Sequence, residues 1–73
     1  MKATKREDLT IEIDGIRHKG SRVIEGTRKL FQTIHFGPAS RFDPHAYTPT
    51  ENTHMQGVAT LILRELVKES QNK

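Results

Sequence analysis

Cysteine and tryptophan are both absent from the 73 residues, and apart from four histidines the aromatic side chains are three phenylalanines and one tyrosine. Without cysteine there is no disulfide framework, no thiolate metal site and no cysteine nucleophile. The usual staples of a small secreted domain are therefore missing, and a cytoplasmic setting is the simplest expectation. Long apolar runs are missing too. The longest is Leu61-Ile62-Leu63, and the basic start from Met1 to Asp8 has no apolar stretch behind it, so neither a signal peptide nor a membrane span is expected. Leu, Ile, Val and Phe make up only 17 of the 73 residues, just above the range of disordered chains. One small domain with one modest core follows, and a partner subunit would add to what it can bury.

What the chain does have is positive charge in one place. The net charge is +3, yet residues 16–36 carry Arg17, Lys19, Arg22, Arg28 and Lys29 against Glu25 alone, while residues 37–73 carry four charges of each sign. Clustered excess of this kind points toward an anionic partner.

Leu9-Thr10-Ile11-Glu12-Ile13 alternates apolar and polar residues and runs into Asp14-Gly15, the dipeptide suited to a type I′ hairpin turn because both central residues need positive φ. A second strand is expected over residues 16–24, and Glu25-Gly26-Thr27 offers the next reversal before a β-branched and aromatic stretch over residues 29–36. Gly37-Pro38 stops that strand, and residues 37–47 read as a long ordered loop. Thr48-Pro49-Thr50-Glu51 matches a capping box with proline at the first helical position, and a helix follows to about Ser70. The expected fold is α+β: a three-stranded antiparallel meander with one C-terminal helix packed on one face. Residues 1–8 are expected to be a flexible segment and residues 9–73 the single domain.

A two-residue turn at Asp14-Gly15 pairs Ile13 with Ile16 and Ile11 with His18. In the next hairpin, an even-numbered loop would pair His18 with His35 and divide the core between two faces. A three-residue loop at Glu25-Gly26-Thr27, or a bulge at Gly20-Ser21, instead returns Leu30, Ile34 and Phe36 to the face of Ile11, Ile13 and Ile16. The shifted register is the expected one, with Met55, Val58, Ala59, Ile62 and Leu66 above that face. The loop device turns Arg22 inward and Val23 outward, and the bulge reverses them.

On this register the open face presents Arg17, Lys19, Ser21, Lys29, Phe31, Thr33 and His35, with Thr10 and Glu12 beside them. Cations that neutralise phosphates, next to hydroxyls and a ring that reach bases, are a composition for DNA or RNA. The helix carries an apolar arc of about 180°, wider than one sheet face needs. Leu61, Leu63 and Val67 are accordingly candidates for a homodimer interface.

Two other constellations remain. The histidines His18, His35, His45 and His54 lack ligand spacing, so no metal and no cofactor is expected, and His18 reads as a hydrogen-bonded residue at the core margin. The stretch from Arg41 to Tyr47 brings together Arg41, Asp43, His45 and Tyr47, an alternative small-molecule or acid–base site. Its plainer reading is a local Arg41–Asp43 ion pair, with Phe42 and Tyr47 plugging the end of the core. In layout the expected fold is similar to small sheet-reading DNA-binding domains, such as the arm-binding domains of tyrosine recombinases and plant AP2-type domains. No signature residue of theirs matches a position here, so none of their functional residues is carried over. The reading that results is a small non-catalytic binding module. Its alternatives are a protein-binding homodimer without nucleic acid, or a site built on residues 41–47.

Overall fold

The computed structural model describes residues 4–71. They form strands β1 (Thr4–Ile13), β2 (Ile16–Glu25), β3 (Leu30–Phe36) and β4 (Ala39–Tyr47), a 3-10 turn over Pro49–Glu51 and one helix, α1 (Asn52–Gln71). The sheet is an antiparallel meander in the order β1-β2-β3-β4, and α1 lies across one face. The fold is α+β, with four strands where three were expected.

Asp14 and Gly15 take φ values of 51° and 78°, as a type I′ turn requires, and the β1–β2 register runs unbroken from Ile13↔Ile16 to Thr4↔Glu25. Residues 4–8, expected to be flexible, therefore continue β1. Residues 1–3 of that segment lie outside the described residues. In the second hairpin Glu25 pairs with Phe31 and Arg22 with Ile34. The connection between the last paired residues is residues 26–30, an odd number, which shifts the register as expected but with a longer loop than three residues and without a bulge at Gly20-Ser21. Arg22 accordingly points inward and Val23 outward. Gly26 sits at φ 114°, where an added Cβ would run into the Lys29 carbonyl, so the reversal requires glycine.

The third hairpin corrects the expected loop. Gly37, at φ 59°, and Pro38 form a two-residue turn that pairs Phe36 with Ala39 and starts β4. Glycine first and proline second suits a type II′ geometry, in which the missing N–H of proline costs nothing. Between the pairs Gln32↔Asp43 and Leu30↔Tyr47, β4 carries two more residues than β3, and Pro44 falls in this irregular stretch of an edge strand.

At the helix start, Glu51 Oε1 accepts from the Thr48 backbone N–H at 2.9 Å, and the Glu51 N–H donates to the Thr48 carbonyl at 3.0 Å. α1 buries Met55, Ala59, Leu63, Leu66 and Val67, while Val58 and Ile62 only flank the contact. The core forms two clusters. The larger joins Leu9, Ile11 and Ile34 to Ala59, Leu63, Leu66 and Val67, and the smaller joins Ile24, Tyr47 and Met55. Ile16, expected under the helix, sits at a hairpin end and is 59% exposed. Gly57, in contrast to the tightly packed Gly20, has open space where a Cβ would project. Gly57→Ala is therefore expected to stabilise the protein by about 0.5–1 kcal/mol through helix propensity, read as a raised urea midpoint with an unchanged slope. No helix of the described residues is long and apolar enough to cross a membrane.

Candidate functional site

The sheet face away from α1 is formed by even-numbered residues of β1, odd-numbered residues of β2 and β3, and Ser40 and Phe42 of β4, as the registers dictate. Arg17, Lys19, Ser21, Phe31, Thr33 and His35 all lie on it, and Lys29 stands in the adjoining loop. Arg17 and Lys19 occupy the end near the first turn. Ser21, His35 and Ser40 form a polar row in the middle, followed by the row Arg6, Val23, Thr33 and Phe42. Phe31 lies beyond, beside Arg28 and Lys29 of the loop. The face and loop thus hold five cations (Arg6, Arg17, Lys19, Arg28, Lys29) against three carboxylates (Asp8, Glu12, Glu25). Among the described residues, the Lys and Arg ion pairs join Lys5 and Arg22 to Glu7, and Arg41 to Glu65 and Glu69. None uses a cation of the open face.

Phe42 was expected to plug the core. It stands on this open face instead, 56% exposed, with its ring stacked on Phe31 at a centroid separation of 6.3 Å and an interplanar angle of 20°. Sequence pattern hides this placement, because Gly37, Pro38 and Pro44 and the lack of apolar alternation make residues 37–47 read as a loop. Once β4 is a strand, its pairing with Thr33 sends Phe42 outward.

Beneath the helix runs a row of polar side chains that no hydrophobic pattern announced. Each strand contributes to it. Glu7 Oε1 accepts from Arg22 Nη2 at 2.6 Å and Nε at 3.1 Å, and Arg22 Nη1 donates to Gln32 Oε1 at 3.1 Å. Gln32 Nε2 donates to Asp43 Oδ2 at 2.9 Å and to the Met55 carbonyl at 3.0 Å, tying sheet to helix. The Tyr47 hydroxyl donates to Asp43 Oδ2 at 2.6 Å, and the His45 backbone N–H donates to Oδ1 at 3.0 Å. His45 Nδ1 completes the set at 2.8 Å from Oδ1, and an ionised carboxylate can only accept, so Nδ1 carries the proton there. Arg22, Gln32 and Asp43 are each 1% exposed.

The alternative site on residues 41–47 is therefore brought together in part. Asp43, His45 and Tyr47 converge, whereas Arg41 turns to Glu65 and Glu69 of α1 in place of the expected pair with Asp43. A shallow cavity of about 310 Å³ lies between His45, Tyr47, Glu51 and His54. The dyad orients an imidazole chemically, but all four acceptor positions of the carboxylate are already filled. Of the interface candidates on α1, Leu63 and Val67 are fully buried against the sheet of their own chain, and Leu61 alone is exposed. His18 faces the helix side, edge-on to Phe36, and its buried Nε2 has no hydrogen-bond partner among the described residues, in place of the hydrogen bond expected of it. Among the described residues, no three His, Asp or Glu side chains form a group able to hold a metal ion.

Burial alone would push the Asp43 carboxyl up, but the hydrogen bonds from Gln32, Tyr47 and His45 outweigh it and hold the group at about 2. Burial, reinforced by the bond to Asp43, pushes Tyr47 up to about 12. A carboxyl lowered in the folded state stabilises the fold above about pH 4 and loses that contribution as pH falls toward 2. A phenol raised in the folded state contributes below about pH 10 and loses it as pH rises toward 12. Stability measured against pH should show a plateau between these limbs. Tyr47 is the only tyrosine, so phenolate absorbance reads the alkaline limb directly, and Tyr47→Phe should flatten it.

Compared with protein-family models, with curated proteins and with solved structures, the chain gives no match.

Proposed function

We propose that this chain is a small non-catalytic module that binds nucleic acid through the open face of its sheet. The carrying observation is that Arg6, Arg17, Lys19, Arg28 and Lys29 stand on or beside this face with no intramolecular ion pair among the described residues, although Asp8, Glu12 and Glu25 are close at hand. Cations left unpaired on a face bearing Ser21, Thr33 and His35 are free to replace the counterions of a phosphate backbone. The cations of the helix side differ, since Arg41 is neutralised by the helix it lies against. Arg17, Lys19 and Lys29 are assigned to phosphates, and Ser21, Phe31 and Thr33 to the bases.

With three to four cations engaged, log affinity is expected to fall with log salt at a slope of roughly −3, and Lys19→Ala should reduce the slope by about 1 without changing the fold. Fluorescence anisotropy with a labelled mixed-sequence oligonucleotide measures both. Absence of binding at low salt, or indifference to removing Arg17 and Lys19 together, defeats the reading. In that event a second copy of the chain becomes the competing occupant of the face, and sedimentation at several concentrations identifies it.

A further inference from the structure

We infer that the open face takes an unpaired strand, with bases stacked on the Phe31–Phe42 platform, an inference that rests on the nucleic-acid reading. Three observations converge on it. The two rings lie nearly parallel, 20° apart, and Phe42 is more than half exposed on a face that no element of the described residues covers. An open cavity of about 670 Å³ adjoins them, bounded by residues 25–29. Within that cavity the cations Arg28 and Lys29 stand beside one carboxylate, Glu25. Phosphate is repelled by Glu25 and attracted to the loop cations, so the backbone of a bound strand runs along the loop and its base falls over the rings.

Duplex does not suit this surface. Four strands about 4.8 Å apart span roughly 14 Å before side chains are counted, whereas the major groove is about 12 Å wide and admits a helix or a two-stranded ribbon. A paired base also offers only its edge, because its faces are covered by its neighbours. The π-face that Phe31 and Phe42 can cover is available only in single-stranded nucleic acid. From Lys19 to Glu25 the face extends about 20 Å along β2, long enough to separate a cationic end at Arg17 and Lys19 from the stacking end.

The test uses the full chain with labelled single-stranded DNA and RNA of about twelve nucleotides and with the matching DNA duplex at low salt. The expected result is binding of a single strand about tenfold or more tighter than duplex, weakened about tenfold by Phe42→Ala and retained by Phe42→Trp, with the salt slope unchanged in both. The DNA and RNA arms decide which strand is preferred. Circular dichroism checks that Phe42→Ala folds, as its exposure predicts. If single strand and duplex bind equally, or if Phe42→Ala is silent while Lys19→Ala weakens binding, the stacking inference falls and the nucleic-acid reading stands. If no nucleic acid binds at low salt, both fall. A Phe42-dependent self-association without nucleic-acid binding would also overturn both.

Discussion

Asp43→Ala is expected to lower the unfolding free energy by about 3–5 kcal/mol, a large part of the total for a domain this size. The carboxylate accepts four hydrogen bonds, two of them from the buried donors Gln32 Nε2 and Tyr47 OH. Removing the acceptor leaves the Tyr47 hydroxyl proton with no other acceptor among the described residues, and deprives Gln32 Nε2 of one of its two acceptors. Tyr47→Phe in the same background should cost less than it does alone, because its partner is already gone. Replacing Arg22, Gln32, Asp43 and Tyr47 together by Met, Leu, Leu and Phe should recover most of the loss, since desolvating a polar row offsets much of what its bonds return. Urea unfolding of the single and combined variants measures the difference. A single Asp43→Ala variant of unchanged stability would show that the row contributes nothing.

Leu63→Ala should cost about 3–5 kcal/mol, while Leu61→Ala, two residues away on the same helix, should stay within about 0.5 kcal/mol. Leu63 is fully buried among Leu9, Ile11, Ile34, Leu66 and Val67, and Leu61 is 59% exposed. The cost at Leu63 lies toward the high end because the cavity has little means of collapsing. Gly20 of β2 already approaches so closely that a Cβ there would lie 2.6 Å from Leu63 Cδ1 and 2.7 Å from the His35 carbonyl oxygen. The urea midpoint is expected to drop for Leu63→Ala with the slope unchanged. Equal effects at the two leucines would mean that Leu61 is covered by a partner in solution.

The buried row also explains how the core divides. The larger cluster under the C-terminal part of α1 and the smaller one around Met55 lie on either side of Arg22, Gln32 and Asp43. These three have few choices of partner at 1% exposure, so the row disfavours any register that slides β3 against its neighbours.

Features that local chemistry controls were legible in the sequence by itself. Asp14-Gly15 demanded its turn and with it the whole β1–β2 register, and Thr48-Pro49-Thr50-Glu51 marked the helix start, because each depends on residues within three or four positions of one another. The parity of β2 against β3 was also readable, since only the shifted pairing put Ile34 with Ile11. β4 was not, because a hydrophobic pattern finds a strand by its apolar inward residues, and the inward residues of β4 include Arg41 and Asp43. Their partners lie far along the chain: Gln32 is 11 residues from Asp43, Arg22 is 15 from Glu7, and Arg41 is 28 from Glu69. Phe42 faces outward as a consequence of those same pairings. Only the tertiary structure could decide these placements, because a polar side chain enters a core at acceptable cost only where the fold has already brought its partners within hydrogen-bond reach.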